Sequence, residues 1–155
     1  MDGNSRNLLY FALQGLLMLE TAVALLLAHL LADFILQSDA MVAGKGRPLV
    51  LARHIGVVTA ASWLALGFPL APVPLVIVAA THALFDGAKQ HWMARQKAKG
   101  VEAGFGAFAA DQTAHLATIA LIAGIWPDTW AGGLWAWPAL HERLPLLADL
   151  PAAMA

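Results

Sequence analysis

The chain has 155 residues, enough for one domain; 60% of them are hydrophobic and only 12% are charged, against about a quarter charged in a soluble domain. So little charge cannot cover a water-facing surface, which places the chain among integral membrane proteins. The formal net charge of −1, with basic residues scattered, argues against a nucleic-acid partner. The absence of cysteine excludes disulfides, thiolate metal sites and cysteine nucleophiles.

In chain order, residues 1–7 are polar and expected to be short and exposed. Asp2 and Arg6 do not make the basic start of a signal peptide, so the first apolar run is read as a retained helix. That run, about 8–37, is broken only by Gln14, Glu20, His29 and Asp33 before it ends at Gln37. It exceeds the ~20 residues needed to span a bilayer. The crossing is placed near 16–37, with Glu20 close to the outer interface. Residues 38–48 read as a loop, with Gly44-Lys45-Gly46-Arg47-Pro48 as its breaker. A second apolar helix is expected over 49–68, with Arg53 and His54 near its start. Pro69, Pro72 and Pro74 mark a tight turn before a third helix over 73–92, which carries His82 and Asp86.

The stretch from Lys89 to Gly104 is polar and basic and reads as a loop, with His91 solvated in it. A fourth helix over 105–126 carries Asp111, Gln112 and His115. From 127 to 155 the chain is rich in tryptophan and proline, interrupted by His141-Glu142-Arg143. Trp126, Trp130, Trp135 and Trp137 suit a membrane interface, so this segment is read as an interfacial tail rather than a fifth span. The expected fold is all-α: a polytopic membrane protein with four transmembrane helices as two hairpins over 1–126, followed by the tail.

Loop charges give an orientation. Lys45, Arg47 and Arg53 gather at the first loop, and Lys89, Arg95, Lys97 and Lys99 at the third, while the second loop has none. Loops one and three are therefore expected in the cytoplasm and both termini outside. The two hairpins then share one orientation, and each opens with a His-x-x-x-Asp pair. This suggests a parallel repeat, with chance and shared hydrophobicity as the competing account.

The polar residues inside the apolar runs carry the functional reading. His29, Asp33 and Gln37 are four apart, as are His82 and Asp86, and Asp111 and His115, so each set lies on one helical stripe. At ~1.5 Å per residue, Asp33 lies ~6 Å and His29 ~12 Å from the cytoplasmic end of the first helix. The same count gives ~7 Å for His54, ~4 Å and ~10 Å for Asp86 and His82, and ~6 Å and ~12 Å for Asp111 and His115. Seven groups fall in one slab, with histidines deeper and aspartates shallower on all three helices that carry a pair.

Three carboxylates facing lipid would be costly, and facing one another without a cation they would repel. A divalent cation removes both problems, and imidazole with carboxylate suits zinc, manganese or iron better than calcium. The expected ligands are His29, Asp33, His82, Asp86 and His115, with Asp111 or His54 as base and Gln37, Lys89 and Gln112 as supporting groups. The competing accounts are structural. Asp86 could pair with Lys89 at i,i+3, Asp33 could pair with Arg53, and a His–Asp network could serve packing alone. For any one pair the structural account is stronger; three pairs and His54 at one depth favour a metal or proton-handling site.

These motifs, His29-Leu-Leu-Ala-Asp33-Phe-Ile-Leu-Gln37, the lone His54, His82-Ala-Leu-Phe-Asp86-Gly-Ala-Lys89 and Asp111-Gln112-Thr-Ala-His115, together resemble a family of small bacterial membrane proteins of unknown function (domain of unknown function three-three-zero-seven). The resemblance covers about 25–121 and implies a multi-pass protein of the bacterial inner membrane, without an established activity. The pattern is also loosely similar to membrane-bound metal-dependent hydrolases. The expected function is thus a metal-dependent membrane hydrolase acting on a lipid or lipid-linked substrate. The alternatives are an ion or proton transport component, or an assembly protein whose polar cluster only holds helices together.

Overall fold

In each long helix the buried positions recur every three to four residues, which is the spacing of one helical face. On the first they are Thr21, Ala24, Leu25, Ala28, His29 and Ala32; on the next, His54, Val58 and Ser62; then Pro74, Val78, His82 and Asp86; and finally Asp111, His115, Thr118 and Ile122. These faces turn inward on one another in a computed structural model that describes residues 3–101 and 104–136. The elements are α1 (Gly3–Leu30), running on through a π-helical turn (Leu31–Ile35), a short α2 (Asp39–Gly44), α3 (Pro48–Ala65), α4 (Pro72–Ala98) and α5 (Phe105–Ile125). α1 packs on α3 and α5, and α4 packs on the same two, so the four long helices close into a ring around one core.

The helix ends follow local chemistry. Pro48 and Pro72 sit in the first turns of α3 and α4, where a missing N–H costs nothing. Ser38 caps α2, its Oγ accepting from the Met41 N–H at 3.3 Å. α3 stops at a tight turn in which Gly67 (φ 75°) and Phe68 (φ 58°) both take left-handed backbone. The Phe68 ring meets Trp63 edge-on, with centroids 5.0 Å apart.

Several boundaries differ from the expectation. The first helix begins at Gly3 instead of near residue 8, because no breaker precedes Gly15. The expected loop 38–48 contains α2. The stretch after Lys89 is helical to Ala98, because it lacks Gly and Pro and is made of good helix formers; the helix stops just before Gly100, whose φ is 70°. His91 is exposed there, on a helix rather than in a loop.

Among the described residues, three helical stretches are long and apolar enough to cross a membrane: Asn4–Ile35, Pro48–Ala65 and Phe105–Ile125. α4 has the length, with 27 residues, but His82, Asp86 and Lys89 dilute its apolar run, so composition does not mark it as a fourth span. Past α5, residues 127–136 fold back over the end of the bundle. Thr21 Oγ1 donates to the Pro127 carbonyl (2.7 Å) and accepts from the Trp130 N–H (3.1 Å). The Leu134 N–H donates to the Gly67 carbonyl (2.6 Å), and a side chain at Gly133 would run into the Leu66 carbonyl. Trp130 is buried by this closure. The remainder of the expected tail, including Trp137, His141, Glu142 and Arg143, lies outside the described residues.

Candidate metal centre

At the opposite end of the ring from that cap, the inward stripes turn polar. α1 supplies His29 and Asp33, four residues apart. Between them the helix widens into the π turn, closed by the Leu36 N–H to the Leu31 carbonyl at 2.8 Å. Single π turns inside α-helices are frequent at functional sites. Here the turn keeps Asp33 against the other helices while Phe34, Ile35 and Leu36 face outward. α3 adds His54, which is fully buried, α4 adds His82 and Asp86, and α5 adds Asp111 and His115. The structure brings all seven groups to one place.

Each carboxylate has a different surrounding. Asp33 lies among three imidazoles: its Oδ1 is 3.2 Å from His54 Nε2 and 3.6 Å from His82 Nε2, and its Oδ2 is 3.8 Å from His29 Nδ1. Asp86 Oδ2 accepts from Lys45 Nζ at 2.8 Å and lies 3.2 Å from His54 Nε2. Asp111 Oδ2 accepts from Lys89 Nζ at 2.7 Å and from Gln112 Nε2 at 3.2 Å, while its Oδ1 lies 3.6 Å from His115 Nε2. His54 thus bridges Asp33 and Asp86. The rings of His82 and His115 stack with centroids 3.9 Å apart, and His29 lies within 5.6 Å of both.

Two pairings weighed from the sequence do not form. Lys89 reaches across to Asp111 on α5 instead of Asp86 on its own helix, and Arg53 is exposed while Asp33 faces histidines. Lys45 was missed: it was counted only as a loop charge that sets orientation. It is buried beside Asp86 because α2 and the tight packing of Gly44 on Val50 fold the loop inward. The available signal was its place between two glycines inside an otherwise apolar chain. Of the supporting groups, Gln112 and Lys89 contact the cluster, whereas Gln37 leaves its Oε1 buried without a partner.

Many polar atoms in the cluster are buried without a hydrogen-bond partner among the described residues. They include His29 Nδ1, Asp33 Oδ1, His82 Nε2, Asp111 Oδ1 and both ring nitrogens of His115. Buried polar atoms are nearly always paired, so such a concentration needs an explanation. Gln112 sharpens it. Its Nε2 donates to Asp111, so its Oε1 faces His29 Nε2 at 3.2 Å as an acceptor. His29 must therefore carry its proton on Nε2, which leaves an Nδ1 lone pair aimed into the cluster. A ligating histidine is typically held in this way, with its second nitrogen fixed by an outer hydrogen bond.

Among the described residues the donor atoms fall into two trios, each with its ligand atoms within 4.8 Å of one another: His29, Asp33 and His82, and Asp86, Asp111 and His115. The five residues expected as ligands of one ion or two are spread over both trios, and Asp111, expected as a base, offers a donor in the second. Two imidazoles and one carboxylate in the first trio are a donor set that suits zinc or iron with an open position for water.

Beneath the imidazoles a cavity of about 20 Å³ is lined by His29, His82, His115, Ser62 and Thr118. That is room for about one water. Leu25, Val58 and Val78 wall it off from the rest of the core.

No curated protein and no solved structure matches the chain. A protein family does: over residues 21–135, which hold all seven polar groups and both lysines, the chain matches the proteins of unknown function called DUF3307, and it belongs to that family.

Proposed function

We propose that the chain is a multi-pass protein of the bacterial inner membrane that holds a divalent cation near the cytoplasmic face and hydrolyses a lipid or lipid-linked substrate there. The observation that carries the metal reading is the buried, unpartnered Nδ1 of His29, fixed in tautomer by Gln112 and facing Asp33 and His82. In this reading α4 crosses the bilayer with the other three helices, because it is packed between α3 and α5 along the ring. Arg47 and Arg53 at one loop and Arg95, Lys97 and Lys99 at the end of α4 mark the cytoplasmic side.

The residues divide the work as follows. His29, Asp33 and His82 hold the ion, which is zinc, manganese or iron on donor chemistry. Such an ion supplies Lewis acidity, which lets water act as a nucleophile near neutral pH. His54, between two carboxylates, is placed to take a proton. Lys45 and Lys89 supply the positive charge that a developing anion needs. The Leu25, Val58 and Val78 wall above the cavity argues against a conduit to the outer face.

One observation favours a packing-only role: the two lysine bridges neutralise Asp86 and Asp111 without any ion. Elemental analysis separates the readings. Protein purified without chelator should carry on the order of one equivalent of a transition metal, and His29→Ala should carry less than about a tenth of that. Wild-type protein that holds less than about a tenth of an equivalent and rebinds none would leave only the packing role.

A further inference from the structure

A wide, open groove of about 640 Å³ runs between α4 and α5 on the outside of the ring. That volume lies within the ~300–1,000 Å³ range of small-molecule sites. Its walls are Phe85, Ala88 and Trp92 on one side and Ala107, Ala110 and Ala114 on the other, so small side chains on α5 create the space. The surface is almost entirely apolar. Among the described residues the charged side chains that line it are Lys89 and Asp111, which are the salt bridge at the edge of the second trio.

We infer that this groove is a lipid-binding subsite: it takes one hydrocarbon chain of a membrane lipid with a net-anionic phosphate headgroup and delivers the phosphate to Lys89. Three observations support one such occupant. Hydrocarbon matches the walls, and the groove is open along its length, as a chain entering sideways from a bilayer requires. Lys89 is 23% exposed, whereas Lys45 is 6% exposed and lies behind the helices, so Lys89 is the ammonium that a headgroup reaches. Its bond to Asp111 uses one of three N–H donors.

The charge balance also selects an anion. Three aspartates and two lysines leave one formal negative charge when the histidines are neutral. A divalent ion turns that into one positive charge, which a net-anionic phosphate headgroup neutralises. This last argument rests on the proposed cation, while the groove and Lys89 stand without it.

The test uses the full-length protein in phosphatidylcholine vesicles that contain a trace of phosphatidic acid with a photoreactive group midway along one chain. Crosslinked peptides are mapped by mass spectrometry, and metal content is measured on the same samples. Labelling should concentrate on 85–92 and 104–114, and excess unlabelled phosphatidic acid should compete where inorganic phosphate does not. Ala110→Phe, at an exposed position, should fill the groove and cut labelling about fivefold while metal content stays the same. Lys89→Gln should cut labelling by phosphatidic acid by a similar factor, about fivefold, but leave labelling by an equally tagged phosphatidylcholine unchanged. Labelling no denser than on the exposed face of α1 (Leu8, Phe11, Leu19), or equal labelling of Ala110→Phe and wild type, overturns the inference. Groove labelling in a protein that holds no metal removes the cation and keeps the lipid site; metal without groove labelling does the reverse.

Discussion

The two donor trios differ in one respect that decides what each can do. Asp33, in the first, pairs with no lysine among the described residues: its ion-pair partners within 4 Å are the imidazoles of His29, His54 and His82. Asp86 and Asp111, in the second, each carry an ammonium at 2.8 Å and 2.7 Å. A carboxylate already bridged to a lysine gains less from a cation. In the proposed reading the first trio is therefore the one that holds the ion, and the second is a charged wall whose two carboxylates are matched by two lysines. The loop of α2 and the far turns of α4 provide that neutralisation, so two segments outside the donor set define how it works.

The largest expected effect breaks this comparison directly. Asp33→Ala should abolish metal retention, whereas Asp111→Ala, under saturating metal, should keep more than about half of the wild-type content. Elemental analysis of the two purified variants decides it. Equal loss in both would mean that the trios act as one site.

Next in size is the cost of exposing the second trio's dependence on lysine. Lys45→Met leaves the Asp86 carboxylate buried, with no ammonium and with His54 as its remaining ion-pair partner. Breaking a buried pair from one side costs about 3–5 kcal/mol, so the unfolding transition in detergent should shift by that amount. Lys45→Met combined with Asp86→Leu should recover most of the loss, because it removes the stranded charge as well. A single-variant loss below about 1 kcal/mol would show that solvent or lipid headgroups reach Asp86.

Gln112 joins the trios, and its effect should be smaller and confined to binding. Its Oε1 holds the His29 tautomer and its Nε2 contacts Asp111. Gln112→Leu should weaken metal affinity by about 10–100-fold, the usual consequence of losing an outer hydrogen bond to a ligating histidine. Competition with a chromogenic chelator measures it. An unchanged affinity would mean that the His29 Nδ1 lone pair is not a ligand.

How far the sequence revealed this arrangement depended on which residues carried it. Inside the helices the signal was strong. Ionisable groups in apolar runs at four-residue spacing have few places to go, so His29, Asp33, His54, His82, Asp86, Asp111 and His115 could be assigned one depth, and the structure has them in contact. The loop and the helix ends were harder. Lys45 looks like any positive-inside lysine until α2, with its Ser38 cap, folds it under the bundle. Lys89 offered an easy partner at i,i+3, but the helix–helix contact chose Asp111, because only the packed ring brings α5 close. The π turn at Leu31–Ile35 has no composition signature at all. Tertiary contact set these features, and local propensity was silent on them.

The smallest expected effect tests the link between that local cap and the distant charge. Ser38 Oγ accepts from the Met41 N–H at the start of α2, and α2 ends one residue before Lys45. The cap is exposed and the helix has only 6 residues, so Ser38→Ala should cost about 0.5–1 kcal/mol. The loss should vanish in a Lys45→Met background, because the cap stabilises the bundle only through the lysine it helps to place. Metal content should stay at the wild-type level in both backgrounds, since the first trio receives nothing from α2. Additive losses from Ser38→Ala and Lys45→Met would separate the cap from the charge it sits beside. They would also return Lys45 to a pairing held by packing of the Gly44 backbone on Val50 alone.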